Sequence, residues 1–421
     1  MPFLIQFCEK LQKMGALKKK YSPFPPYSDR KSWNNAVPNE RAEIIAYGET
    51  FLNYNWPFLP ATLYMEFKIT GNRSQYEELY FKRRHALGAL TIAECLEGKG
   101  RFLADITNGI WGICEETSWS VPAHLSRSEF VVLPSPDAPI VDLFAADTGV
   151  LLSLIYFIFE THYEEHNPNI LERIEAEVQK RIITEYMNND IYGWLGLSHK
   201  EPVNNWNPWI NCNVLLTALL LCGNYPQKIQ IIEKILRSLD RFIEGYGDDG
   251  GCNEGPMYWF VAGGKLLDAL DILNVATDGE IDIFAEKRIR NMGRYIALSH
   301  IGKGWFVNFA DAIPRPLIQG TVIYRYGRLI NDPYLTQFGL SHLNFLNEIK
   351  GYKWFELFRI GRTLFFPNIN DLSNSIIPPP IFNHFNSIQV FNTRSADGKW
   401  FLAGKGGHNQ ESHNHNDVGN F

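Results

Sequence analysis

A mainly α-helical protein, with a helical body followed by the start of an antiparallel sheet domain, is what three observations in this 421-residue sequence predict. From about residue 40 to 350, apolar residues recur at helical spacing, with short loops of Gly, Pro, Asn and Asp between them and no strand-like alternation. Near residue 365 the composition shifts to a connector rich in Pro, Asn and Ser. Beyond it, β-forming residues gather around a turn. Helices in series with short connections form antiparallel hairpins, for which an α/α toroid or solenoid is the natural architecture, although no strict repeat is present.

The elements follow in order. Residues 1–40 read as an extended lead-in, with Pro23, Pro25, Pro26 and Pro38 as breakers. The helical domain is placed at 41–367. Ile155, Phe159 and their neighbours predict a helix apolar nearly all round, and so central. Leu171, Ile174, Val178 and Ile182 predict one apolar stripe, and Ile229, Ile232, Leu236, Leu239 and Ile243 repeat the device after a boundary at Tyr225 and Pro226. Residues 368–380 form the Pro-rich linker, and 381–421 the beginning of the sheet domain. There, Ser387 to Thr393 and Trp400 to Gly404 flank the turn Ser395 to Gly398 and predict a β-hairpin. A lone hairpin is marginal, and Phe421 falls inside the pattern, so further strands are expected beyond it.

Composition bounds the function. Hydrophobic content of 45% is that of a soluble globular protein. The 11 Trp, 19 Tyr and 28 Phe suit a plain aromatic core, and equally a cleft in which flat sugar faces stack on rings. A net charge of −6 argues against a nucleic-acid partner, which requires a basic face, but leaves an acidic substrate open. Six scattered cysteines, without metal-ligand or redox spacing, read as buried thiols. The N-terminus lacks a signal-peptide core, and apolar runs such as Val214–Cys222 and Leu151–Phe159 fall short of the roughly 18 residues a bilayer needs. A cytoplasmic location without membrane contact is expected, or a periplasmic or secreted one if a leader has been removed.

Four stretches could carry chemistry. His408, Glu411, His413, His415 and Asp417 lie within ten positions of a chain with eleven histidines. In extended form, His413, His415 and Asp417 share one face, which reads as an active-site or metal-binding strand, against the alternative of a hydrated loop. Tyr246 to Trp259 is a glycine-rich turn leading into a helix at Pro256, with Asp248, Asp249, Glu254 and Tyr258 at its mouth. Its acids equally suit caps. Asn204, Asn205, Trp206, Asn207 and Trp209 precede an apolar helix and offer neutral donors and a sugar platform, or an N-cap turn. Trp111 to His124 sets Glu115, Glu116, Trp119 and His124 in one loop, or simply packs between helices.

Together these stretches resemble the heparinase II/III-like polysaccharide lyases, a group that includes alginate and oligoalginate lyases. The likeness is carried by Asn204 to Trp206, by Asp249 through Glu254 to Tyr258, and most specifically by Lys405 through His408 to His413, His415 and Asp417. It implies an incomplete (α/α) toroid joined to an antiparallel β-sandwich with the cleft between them, and β-elimination at a uronic acid. By this resemblance Asn205, or else Asn204, binds the uronate carboxylate. Tyr258 is acid to the leaving oxygen and, for one stereochemistry, also base, and His413 is a second base or charge stabiliser. Glu254 and His408 either touch the substrate or support groups that do, and Trp206, with Trp119 and His124 of the fourth stretch, is expected to contact substrate. His415 matches a ligand position for a structural zinc or other divalent cation whose remaining ligands would lie past residue 421; no organic cofactor is implied. Trp206 departs from members that carry a histidine after the carboxylate-binding residue. The substrate implied is an acidic polysaccharide or oligosaccharide, a glycosaminoglycan first and alginate second. The rival readings are a toroid glycoside hydrolase using Asp249 and Glu254, a sugar-binding protein without turnover and, more weakly, a metallo-hydrolase.

Overall fold

Helices of two kinds build the body, seen in a computed structural model that describes residues 2–14, 17, 20–125, 132–367 and 379–407. The principal ones are α1 (Ser74–Glu97), α2 (Leu103–Cys114), α3 (Leu143–His166), α4 (Pro168–Val178), α5 (Trp206–Leu221), α6 (Tyr225–Gly245), α7 (Gly263–Ala276), α8 (Lys287–Leu298), α9 (Gly320–Leu329), α10 (Pro333–Leu340) and α11 (Leu357–Leu364). Helices α3, α5 and α7 are buried nearly all round. Helices α4 and α8 bury one stripe only, and α6, buried through its middle, leaves 9 of its 21 residues partly or fully exposed. This difference sorts them into an inner and an outer layer. Each odd-numbered helix packs on the even-numbered one that follows it, where one does, and on the next odd-numbered helix, and α11 returns to touch α3. The described residues are 58% helix and 5% strand.

Local chemistry sets these boundaries. Asp142 caps α3 by accepting the Ala145 N–H at 2.7 Å, and Asn224 caps α6 by accepting that of Gln227 at 3.0 Å, with Pro226 in the first turn. The apolar stripe beginning at Leu171 runs through α4 into a π-helical turn, Gln179–Thr184, which keeps Ile182 and Ile183 buried. Helix α3 is long and apolar enough to cross a membrane, which the run lengths in the sequence did not suggest. Its most apolar window is 83% buried inside the protein, the setting of a core helix.

Polar groups are also buried inside the helical layers. Arg84 makes a two-pronged bond to Glu116 at 2.9 and 2.6 Å, Arg359 meets Asp268 at 2.7 Å, and Lys265 meets Glu356 at 3.3 Å. Each bridges different helices or loops, so these pairs fix how the layers register, since a buried charge without its partner is costly. All six cysteines are free thiols and buried.

Two departures from the sequence expectations stand out. Within the lead-in expected to be extended, Cys8–Met14 and Arg30–Asn35 are helical. The segment is held down by Asp240, whose carboxylate accepts the N–H groups of Phe3, Leu4 and Ile5 at 2.8–3.0 Å, and by the fully buried Trp33. A small hairpin, β1 (His300–Gly302) and β2 (Trp305–Phe306), also interrupts the helical body. It turns on Lys303 and Gly304, both with positive φ.

The C-terminal sheet is antiparallel with order β3 (Phe382–Phe385), β4 (Val390–Arg394), β5 (Phe401–Lys405). Phe382 faces Thr393, and Val390 faces Lys405. The expected turn joins β4 to β5, closed by the Gly398 N–H on the Ser395 carbonyl at 2.9 Å. β3 adds a strand beyond the expected hairpin, and Ser387 and Ile388 form a 3-10 turn instead of strand. Most of the connector, 368–378, and the segment 408–421 lie outside the described residues.

Candidate active site

Asn205 ends the loop before α5. Its neighbour Asn204 accepts the Trp206 N–H at 3.1 Å, closing an Asx turn that starts the helix. The Asn205 amide donates to the Glu254 carboxylate at 2.6 Å, and the two residues are only 5% and 2% exposed. This bond joins two motif stretches that are 49 residues apart in sequence.

The glycine-rich loop gives Glu254 its place. Gly250 and Gly255 have φ of +78° and +85°, a region in which a side chain is strained. A Cβ on Gly255 would also lie 2.6 Å from the Phe309 carbonyl oxygen. Directly after it, the short helix Pro256–Trp259 presents Tyr258, half-buried, while Trp259 is buried with its indole N–H on the Met292 carbonyl at 2.7 Å. Burial raises the Tyr258 phenol above its ordinary pKa, and the carboxylates of Asp311 and Glu254 add to the effect. Burial pushes the Cys252 thiol up to about 12, so it is no nucleophile at neutral pH.

The two aspartates of this loop have other partners. Asp248 pairs with Arg288. Asp249 accepts from the Ser387 N–H at 2.7 Å, from the Ser387 hydroxyl, and from the Gly251 N–H at 3.0 Å. It ties the helical body to the sheet. No family model and no curated protein matches this chain. The site is therefore read from its own chemistry.

On the other side of Asn205, Trp206 meets the His124 ring at a centroid distance of 4.5 Å. His124 stacks on Phe144 at 5.3 Å and 14°, and its Nδ1 lies 2.7 Å from the Asp142 carboxylate. Donation from Nδ1 to Asp142 makes Nε2 the acceptor of the neutral ring. Trp119 is in the core instead, 2% exposed, with its indole N–H on the Ile113 carbonyl at 2.9 Å and Arg181 over its ring. It presents no surface to a ligand.

The structure thus brings Asn204, Asn205, Trp206, Glu254 and His124 into one contiguous group, with Tyr258 on the short helix that follows Glu254, and leaves Trp119 out. His408, His413 and His415 lie outside the described residues, and with them the expected metal position. Among the described residues, no group of three or more His, Cys, Asp or Glu side chains could hold a metal. A cavity of about 580 Å³ lies against the loop carrying Glu254, lined by Cys252, Asn253 and Gly255 on one side and by Gln389, Lys405 and Gly407 on the other. Gly407 is the residue before His408.

Sequence reasoning missed Asp142, Phe144 and Asp147. Asp142 carried a readable signal, an acid just before an apolar helix. Asp147 had none, being one polar residue in an apolar run. Its Oδ1 accepts from Trp209 Nε1 at 2.9 Å and Asn213 Nδ2 at 2.6 Å, while Oδ2 has no partner among the described residues. Burial, opposed by Lys265 and reinforced by Glu356, pushes its pKa up to about 7.

Proposed function

We propose that the protein is a carbon–oxygen lyase that cleaves uronic-acid-containing glycans by β-elimination. The observation that carries this reading is the Asn205–Glu254 hydrogen bond, with Tyr258 four positions after Glu254 on the short helix that follows it. In such a reaction the C5 proton of the uronate passes to a base, the C5–H electron pair becomes the C4–C5 double bond, and the C4–O bond breaks with a proton delivered to the leaving oxygen. Negative charge accumulates on the carboxylate as the proton leaves, and neutral or cationic donors must meet it there.

Asn205 supplies such a donor. One of its two amide hydrogens is held by Glu254, which fixes the orientation of the amide, and the second is the one we assign to the substrate carboxylate. The raised pKa of Tyr258 keeps the phenol protonated at neutral pH, which suits the acid that protonates the leaving oxygen. Trp206 offers ring surface for the neighbouring sugar, backed by the His124 ring. His408 as a contact, His413 as base and a metal at His415 rest on the sequence resemblance alone.

The same resemblance suggests that the helical layers form an incomplete (α/α) toroid, with a β-sandwich begun by β3–β5. The alternation of inner and outer helices and the return of α11 to α3 support that reading. A glycosaminoglycan substrate comes first and alginate second. The rival hydrolase needs Asp249 and Glu254 as its pair, but Asp249 is engaged by Ser387 and Gly251, and Glu254 by Asn205.

Mass spectrometry of the products separates the two chemistries. Elimination leaves a fragment carrying the C4–C5 double bond that is lighter by one water than the same fragment released by hydrolysis. Products that are all saturated, with a water added across each broken bond, would overturn the proposal.

A further inference from the structure

A second cavity, of about 360 Å³, opens between the N-terminal half of α1 and the loop before α11, a volume at the small end of ligand sites. Glu78, Phe81, Lys82 and His85 line it from α1 at positions three and four apart, and so from one helix face. Phe355 closes the far side, nearly parallel to Phe81 at a centroid distance of 6.0 Å and 14°. Phe51 and Tyr54 supply further ring walls. The floor is therefore apolar, and the charges stand at the rim, where Lys82 and Lys353 are exposed. Lys82 is matched by Glu78 at 2.6 Å. Lys353 has no carboxylate partner among the described residues, and its Nζ lies 5.7 Å from the Phe81 ring centroid. Burial and the Lys353 charge lower the pKa of His85, so its ring, met by the Tyr47 hydroxyl at 2.5 Å, is uncharged at neutral pH. The cavity thus carries one unmatched positive charge above a floor of rings.

The backbone holds Lys353 in place. Lys353 and Trp354 have φ of +48° and +62°, two consecutive residues in the left-handed region that ordinarily falls to glycine. Such strain persists only where the surroundings enforce it, and it gathers at ligand sites. Here the buried Trp354 ring stacks on Tyr47 at 4.5 Å and 14°. The Trp354 carbonyl oxygen lies over α1 at Gly88, where a Cβ would approach it to 1.8 Å. The loop is pinned against α1, and Lys353 is carried to the rim as an exposed cation.

We infer that this cavity is a subsite for an acidic sugar unit, seated on the half-buried rings of Tyr54 and Phe81 with its anionic group at Lys353. Aromatic rings match the flat C–H faces of a pyranose, and an ammonium is a compact point charge that takes a carboxylate or a sulfate ester alike. The same charge turns away a cationic guest, which aromatic walls alone would welcome. The cavity is continuous with the candidate active site through a run of rings. Phe81 meets Phe144 edge-on at 4.8 Å, and Phe144 stacks on His124, the neighbour of Trp206. This inference rests on the acidic-glycan reading and gives that glycan a second point of contact, away from the bond that breaks.

The test is calorimetric titration of the full chain with hexasaccharides of hyaluronan, chondroitin sulfate, heparan sulfate and alginate, and with the hyaluronan chain after its carboxyls are reduced to alcohols. Every protein carries Tyr258→Phe, so that the glycan is bound without being consumed. Lys353→Gln is expected to weaken binding of at least one acidic hexasaccharide about two- to fivefold, and Lys353→Glu about tenfold or more. The reduced chain should bind more weakly and respond to neither. Lys31→Gln removes the same charge at the other end of α1, where the adjacent Arg30 bonds to the Cys95 carbonyl, and should leave binding unchanged. A loss shared by hyaluronan and chondroitin sulfate assigns the contact to a carboxylate, and a loss confined to sulfated chains assigns it to a sulfate ester. No binding of any of the four, unchanged affinity in Lys353→Gln, or an equal loss in Lys31→Gln would overturn the subsite. The lyase reading is judged separately, by turnover with Tyr258 intact. Binding that depends on Lys353 without turnover keeps the subsite and sinks the lyase reading, and turnover with binding indifferent to Lys353 does the reverse.

Discussion

Glu254 is the residue whose removal separates support from chemistry. It does not need to touch substrate to matter, because it holds the Asn205 amide in place. Glu254→Gln, which replaces the acceptor oxygen pair with an amide, is expected to lower kcat by about 10- to 100-fold by loosening the Asn205 donor. Asn205→Ala should cost about 100- to 1000-fold, the range for one lost donor at a developing anion. Steady-state kinetics of the two variants and their double mutant check this. Because both act through one bond, the double mutant should be little worse than Asn205→Ala. Asp147 offers a second prediction. Its carboxyl, with a pKa of about 7 when folded, stands well above the roughly 3.9 of an unfolded chain. Its contribution to stability is therefore present below about pH 4 and lost as pH rises through 7. Asp147→Asn keeps the acceptor for Trp209 and Asn213 and removes the titration, so its melting temperature should exceed wild type at pH 8 and match it more closely at pH 5. An equal difference at both pH values would contradict the assignment.

At the scale of elements, the glycine-rich loop and the sheet are joined through one carboxylate. Asp249 takes three donors, two of them from Ser387 at the start of the turn between β3 and β4. A Cβ on Gly247 would lie 2.2 Å from Ser387 Cβ, and one on Gly251 2.8 Å from Ile388, so the fit is close as well as polar. Asp249→Ala should destabilise the protein by about 1–2 kcal/mol and Ser387→Ala by less, as chemical denaturation will read. A hydrolase would instead lose its activity outright with Asp249. These elements show what sequence can and cannot disclose. The stripe of α6 and its boundary at Tyr225 and Pro226 were legible because their signals are local and periodic. The β1–β2 hairpin was not, since strands of three and two residues are too short to set a period. The lead-in misled because its prolines sit in the turns that separate its helices, and its anchor, Asp240, is more than 230 residues away.

For the whole molecule, layering follows from how completely each helix is apolar, and that was readable: Ile155 and Phe159 marked α3 as central, and it is. The charged pairs inside the layers were not readable. Arg359 and Asp268 are 91 positions apart, and nothing in either segment marks the other. The same holds for the site. The stretches containing Asn205, Glu254 and Tyr258 were identifiable from residue type and order, yet the Asn205–Glu254 bond and the seating of His124 on Asp142 arise only from folding. Trp119 shows the limit from the opposite side, because composition cannot tell a sugar platform from a core ring. The central claim is that this arrangement performs elimination at a uronate. The most direct measurement is ultraviolet absorbance of the full chain acting on heparan sulfate, chondroitin, hyaluronan and alginate, with Tyr258→Phe in parallel. The account predicts a steady rise from the conjugated C4–C5 double bond with at least one of these glycans, reduced at least 100-fold in Tyr258→Phe. New reducing ends without any rise in absorbance, or a rise that Tyr258→Phe leaves unchanged, would contradict it.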